Sequence, residues 1–162
     1  MSKSQEEAPS GAPTAPAAPR LSVGVIGTGR AGSVLGAALA RAGHKVVAAY
    51  GVSDLSRLRA EALLPDVPLV TPEEVLAQAD LVLITVPDDV LAELVAGLSA
   101  TKAFRAGQFI AHASGRYGIE VLVPASRAGA LPLALHPAMT LTGTSLDLER
   151  ISGAPFGVTA PD

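Results

Sequence analysis

Two histidines of this sequence stand in clusters suited to acid–base chemistry, His112-Ala113-Ser114-Gly115 and His136-Pro137-Ala138-Met139-Thr140. Imidazole titrates close to neutral pH and can take or return a hydroxyl proton. His112 and His136 are therefore both candidates for catalysis, with the Ser114 hydroxyl expected to converge with them. Burial for packing is the competing explanation for a histidine at either place. His44, next to Gly43, reads as structural. The absence of cysteine excludes disulfides, thiolate metal sites and thiol nucleophiles, and no metal is expected.

A third cluster points to a phosphate-bearing ligand. Gly27-Thr28-Gly29-Arg30-Ala31-Gly32 has the GxGxxG spacing, which has force only between a strand and a helix. There the first glycine permits a tight turn, the second lets backbone approach a pyrophosphate, and the third allows close helix packing at a positive helix N-terminus. In NAD-binding versions an acidic residue about 20 positions on receives the adenosine ribose. This sequence has Tyr50-Gly51-Val52-Ser53 instead, followed by Ser56, Arg57 and Arg59. Without that carboxylate a 2′-phosphate is not repelled, and hydroxyl and guanidinium donors suit it. Ser53 and Arg57 are thus assigned to NADP, with NAD kept open by Asp54. Thr85-Val86-Pro87-Asp88 should face the glycine turn, with Val86 and Pro87 offering backbone to the nicotinamide ribose.

These clusters require elements that bring them to one edge. From Leu21 onward short apolar runs alternate with helical patterns, the signature of βαβ units. Strands are predicted over residues 22–26, 46–50, 81–86, 108–111, 131–135 and 156–159, with a short one near Leu69-Val70 as third in chain order. The first helix should bury Ala31, Val34, Leu35, Ala38 and Ala42. Ser53 and Thr71 are helix caps, the latter followed by Pro72, Glu73 and Glu74 in the first turn. The fold class is α/β, a Rossmann-type doubly wound, mainly parallel sheet of order 3-2-1-4-5-6 plus a seventh strand. Both histidine clusters follow strands at their carboxyl ends, the ligand edge of such a sheet.

Composition narrows the function classes further. A length of 162 residues, 49% hydrophobic and 17% charged, fits one globular domain. Residues 1–20, rich in Pro, Ala, Ser and Glu, read as a disordered tail before a domain over residues 21–162. A net charge of −3 with scattered Lys and Arg gives no footprint for nucleic acid or an anionic membrane. No apolar run approaches the roughly 20 residues of a membrane span, and no secretory signal opens the chain. A cytoplasmic location and a small-molecule substrate are expected.

The runs Gly24 to Gly32, Thr85 to Asp89, His112 to Gly115, Leu135 to Thr140 and Phe156 to Thr159 resemble the N-terminal half of the bacterial "Rossmann-like and DUF2520" proteins. More distantly they resemble the β-hydroxyacid and prephenate dehydrogenase group. The resemblance covers the chain from about Leu21 and implies an NADP-dependent oxidoreductase, with a hydroxyl-facing role for His136 and a substrate or cofactor contact for Ser114. His-Pro-Ala-Met departs from the His-Pro-Met of prephenate dehydrogenases, so their substrate does not carry over. Such proteins continue into a helical domain that closes the pocket and makes the dimer, and that domain is not expected within residues 21–162. Hydride transfer involving a small hydroxy or oxo acid is the leading expectation. The alternatives are a dinucleotide-sensing or interaction module without catalysis, and a flavin- or deazaflavin-linked NADP reductase.

Overall fold

The computed structural model describes residues 16–162. Most of the expected tail lies outside these residues, and 16–20 are exposed without helix or strand. The elements in chain order are β1 (Ser22–Ile26), α1 (Arg30–Arg41), β2 (Lys45–Tyr50), α2 (Asp54–Leu63), α3 (Pro72–Gln78), β3 (Leu81–Ile84), α4 (Asp88–Ala100) and β4 (Phe109–His112). A 3-10 turn (Ile119–Leu122) leads into α5 (Val123–Arg127), followed by β5 (Leu131–Pro137), α6 (Leu146–Arg150) and β6 (Phe156–Thr159).

The sheet order is β2-β1-β3-β4-β5-β6, parallel except where β6 runs antiparallel to β5. This is the Rossmann-type arrangement with two departures from expectation. The third strand shrinks to one bridge, Ala49 with Leu69, because Pro68 has no N–H to extend a ladder and the chain bends at Asp66, whose φ is 65°. The last strand is antiparallel because α6 is too short to carry the chain back across the sheet. Its 5 residues span only about 7 Å of helix, against more than about 20 Å for β5.

Two apolar layers sandwich the sheet, and the alternation of strand side chains assigns each residue to one of them. Ile26, Val82, Ile84 and Ile110 pack with Val75, Leu76, Leu91 and Val95 on the α3–α4 side. Val23, Val25, Leu81 and Leu83 pack with Val34, Leu35 and Leu148 on the α1–α6 side. All of β3 is buried, as a central strand covered on both faces must be. It stops two residues before the predicted end, because Thr85 turns toward the glycine turn and Pro87 opens α4. β5 instead continues through His136, which pairs with Gly157 of β6.

Local chemistry fixes the helix ends. Thr71 and Glu74 form a reciprocal capping box: the Thr71 hydroxyl accepts from Glu74 N–H at 3.3 Å and the Glu74 carboxylate accepts from Thr71 N–H at 2.8 Å. Those bonds hold the Glu74 carboxyl below its ordinary range, the Thr71 backbone N–H contributing most. At the other end of α3 the buried Gln108 amide donates to the carbonyls of Leu76 and Ala79, both at 2.8 Å. Gln108 thus caps a helix just outside β4 rather than opening the strand. Among the described residues no helix is long and apolar enough to cross a membrane.

Candidate active site

The glycine turn hangs from β1 by geometry available only to glycine. Gly27 has φ +102°, and a Cβ there would stand 2.8 Å from both the carbonyl carbon and oxygen of Thr85. Gly27 and Thr28 donate their N–H groups to Tyr50 O at 2.8 and 3.2 Å, tying the turn to the end of β2. The Thr85 hydroxyl donates to Gly27 O at 2.7 Å, tying it to the end of β3. At Gly32 an added Cβ would overlap the Gly27 carbonyl oxygen, so α1 packs directly on the turn. Gly29 is the reverse case, with open space for at least 4 Å around its Cβ position.

Gly29 is also the N-cap of α1, and neither a capping side chain nor an acidic residue occupies the first turn. The unpartnered N–H groups and the positive end of the helix therefore face the open space beside Gly29. Helix N-termini of this kind receive phosphates. Thr28 plays a different part: it is fully buried and its hydroxyl donates to Ser56 O at 2.9 Å, so its side chain fastens the turn to α2. Arg30 is exposed, Ala31 is half-buried, and Val86 N would lie 3.0 Å from a Gly27 Cβ. Pro87, the N-cap of α4, is exposed beside it.

A cleft of about 530 Å³ opens at the end of β2, lined in part by Tyr50, Gly51, Arg57, Thr71 and Glu74. Arg57 Nε donates to Gly51 O at 3.4 Å, which holds the guanidinium at the cleft wall. Ser53 is committed to its cap, accepting from Ser56 N–H at 3.1 Å and donating to Ser56 Oγ at 3.0 Å. Arg59, two residues beyond Arg57 and so about 200° round the helix, points elsewhere. It lies against Gly143, where an added Cβ would be 2.9 Å from Arg59 Nε. Arg59 therefore does not share a cleft wall with Arg57, contrary to the sequence expectation.

The strand register brings the second half of the site together. His112, the last residue of β4, is paired with Ala134 of β5, so Ser114 lies in the loop just beyond β4 while His136 stands near the end of β5. The His136 ring lies on the loop after β4: a Cβ on Gly115 would be 2.7 Å from its Cε1, and its Nδ1 donates to Ala113 O at 3.4 Å. That bond leaves Nε2 as the acceptor nitrogen of an exposed imidazole. Ser114 Oγ accepts from the N–H groups of Arg116 and Tyr117, at 3.1 and 3.4 Å, and keeps its own proton to donate. The Arg116 guanidinium sits 5.4 Å from the Tyr117 ring centroid on the same loop.

His112 does not join this edge. It is 1% exposed, its Nδ1 accepts from Ser114 N–H at 3.1 Å, and its Nε2 donates to Gly118 O at 2.8 Å. Both ring nitrogens are thus spent on shaping residues 113–118, as a neutral tautomer with no free valence for a substrate. Its bonds hold the loop that carries Ser114.

The sequence over residues 7–137 matches the family described as the Rossmann-like domain. The chain belongs to that family. No curated protein matches the sequence significantly. In fold, the Rossmann-like chain is similar to a candidate NADP oxidoreductase from Bacteroides fragilis, with a TM-score of 0.69 at 21% identity, covering 88% of this chain and 52% of the other. It is similar to 3-hydroxyisobutyrate dehydrogenase of Mycobacterium tuberculosis, with a TM-score of 0.63 at 21% identity, covering 86% and 46%. A semialdehyde dehydrogenase NAD-binding protein from Cupriavidus necator, in complex with calcium and NAD, gives 0.59 at 20% identity, covering 87% and 52%. The chain spans about half the length of each of these structures.

Around the Rossmann-like turn the structure adds residues that the motifs alone did not single out. The Thr85 hydroxyl is the tie between turn and β3, although only backbone contact was expected of its segment. Glu74 brings a carboxylate to the cleft that the end of β2 lacks, with one oxygen committed to Thr71 N–H. Asp147 is fully buried beneath the loop at Thr142–Thr144. Burial pushes its carboxyl up, but hydrogen bonds from Gly143 N–H and from the Thr142 hydroxyl and N–H prevail and hold it below the ordinary carboxylate value. Asp147 shares the buried side of α6 with Leu148, while Leu146, Glu149 and Arg150 are exposed.

Proposed function

We propose that this chain is the cofactor-binding domain of an NADP-dependent oxidoreductase acting on a small hydroxy or oxo acid. The observation that carries the reading is the placement of the His136 imidazole against Gly115, the residue after Ser114 in the loop that follows β4, on the sheet edge where the open glycine turn also lies. A bound nicotinamide would supply or accept the hydride. The residues of this chain would do the rest. Gly29 and the first turn of α1 would receive the pyrophosphate, with Thr28 and Thr85 keeping the turn rigid. Arg57 would face the 2′-phosphate at the cleft wall.

For alcohol oxidation, His136 Nε2 would accept the hydroxyl proton as the carbon loses hydride; for carbonyl reduction the imidazolium would return it. Ser114 would donate its hydroxyl proton in a hydrogen bond to the substrate oxygen. Arg116 supplies a cation on the same loop for a substrate carboxylate. In the β-hydroxyacid group that the sequence resembles, such a site is completed by a second domain.

The test is titration of the chain with NADPH and NADH. Arg57→Ala should weaken NADPH by about 10- to 100-fold, the loss of a charge-assisted contact, while leaving NADH within about 2-fold. Equal losses for both would remove the 2′-phosphate assignment. His136→Ala should lower kcat by at least about 100-fold, and unchanged turnover would end its proton-transfer role.

A further inference from the structure

The loop between β5 and α6 is held down by a device that the cofactor reading leaves unused. Asp147 Oδ2 accepts from Thr142 N–H at 2.7 Å and Gly143 N–H at 2.8 Å, while Oδ1 accepts from the Thr142 hydroxyl at 3.0 Å and Arg150 Nη1 at 3.2 Å. A fully buried carboxylate is costly unless its partners satisfy it, and here three of the four bonds go to one two-residue stretch. The buried chain at Gly143, with φ +81°, is thereby pressed against the opening of α1. A Cβ on Gly143 would be 3.0 Å from Arg30 Cα and 2.9 Å from Arg59 Nε. Arg59 of α2 thus meets this loop with its guanidinium, and Arg30 of α1 meets it with its Cα and Cγ. Among the described residues neither has a carboxylate within 4.0 Å, the one ion pair being Arg150 with Asp147. The juxtaposed Thr142 and Thr144 hydroxyls, 3.0 Å apart, are exposed on the same loop.

Cations without counterions beside an uncapped helix N-terminus await an anion of more than one charge. We propose that the loop at Thr142–Thr144, positioned by Asp147, and the Arg30–Arg59 pair form a second wall of the phosphate site, opposite the glycine turn, that grips the pyrophosphate of the dinucleotide. This rests on the cofactor reading above. It divides the arginines of α2 between two phosphates, Arg57 for the ribose 2′-phosphate and Arg59 for the pyrophosphate. Asp147 touches no ligand in this scheme and acts by holding the loop.

The experiment is calorimetric titration of the wild-type chain and of Asp147→Ala, Asp147→Asn, Arg59→Ala and Arg59→Lys with NADPH, inorganic pyrophosphate and adenosine 2′-monophosphate. Asp147→Ala and Arg59→Ala should each weaken NADPH and pyrophosphate by about 10-fold or more and leave adenosine 2′-monophosphate within about 2-fold. Asp147→Asn, which keeps one acceptor, and Arg59→Lys, which keeps the charge, should fall between. A merely structural role for Asp147 would lower thermal stability without separating the three ligands. If wild type binds NADPH and both alanine variants match it, the second wall is refuted while the cofactor reading stands. If wild type binds none of the three, both fail. Arg59→Ala carries the test alone should Asp147→Ala not fold.

Discussion

Gly27 and Gly29 are two residues apart in the same turn, yet alanine should harm them in opposite ways. At Gly27 the φ of +102° is disfavoured for an L side chain, at a cost of about 1–2 kcal/mol. The added Cβ would also stand 2.8 Å from the Thr85 carbonyl and 3.0 Å from Val86 N, which are backbone atoms that cannot rotate aside. Overpacking of this kind costs a further ~1–3 kcal/mol. The sum, about 2–5 kcal/mol, corresponds in a domain of this size to a fall in Tm of roughly 5–15 °C. At Gly29, φ is −73° and nothing lies within 4 Å of the new methyl, so the stability change should stay within about 1 kcal/mol, the range of an altered N-cap. The methyl would instead fill the space assigned to phosphate and weaken NADPH by about 10-fold or more. Thermal unfolding by circular dichroism, paired with NADPH titration, separates the two effects. A Gly27→Ala protein as stable as wild type would refute the steric reasoning, and a Gly29→Ala protein with unchanged affinity would refute the phosphate placement.

Other expectations follow from the helix ends. Glu74 has a lowered folded-state pKa, so its contribution to stability is complete above its ordinary value of 4.5 and is lost as the pH falls through the lower folded value. Glu74→Gln should flatten that part of the acid profile, seen as a wild-type minus variant difference in Tm that shrinks between about pH 6 and about pH 3; a constant difference would contradict the capping box. Gln108→Leu should cost about 1–3 kcal/mol in urea unfolding, because it orphans the Leu76 carbonyl, while Ala79 O keeps the Arg105 guanidinium at 2.7 Å. A neutral Gln108→Leu would mean that α3 needs no cap.

The parts of the fold that were legible in advance are those set by short-range rules. Apolar runs and glycine spacing located the strands and the turn, and Thr71 before Pro72 announced a helix cap, because each depends on neighbours in sequence. The burial of His112 and its bonds to Ser114 N–H and Gly118 O were not legible, because residue types do not reveal how the loop after β4 turns back on the ring. Asp147 was missed although its partners Thr142 and Gly143 are only five and four residues away, because a buried acid looks like a solvated one until the burial of its helix face is known. Arg57 and Arg59 could have been separated earlier, as a spacing of two residues already puts them on opposite sides of a helix. The antiparallel β6 was hidden because its direction depends on the length of α6, which periodicity does not fix.

The three ties of the glycine turn, to Tyr50 of β2, to Thr85 after β3 and to Ser56 of α2, have a kinetic meaning beyond holding its shape. A segment anchored to three elements has little conformational freedom left to lose, so its ordering belongs to folding rather than to ligand capture. Association at this turn should then approach rigid docking, with a single fast phase. Cutting one tie, as in Thr85→Val, should show first as a more unfavourable binding entropy, before any change in the contacts made with the ligand.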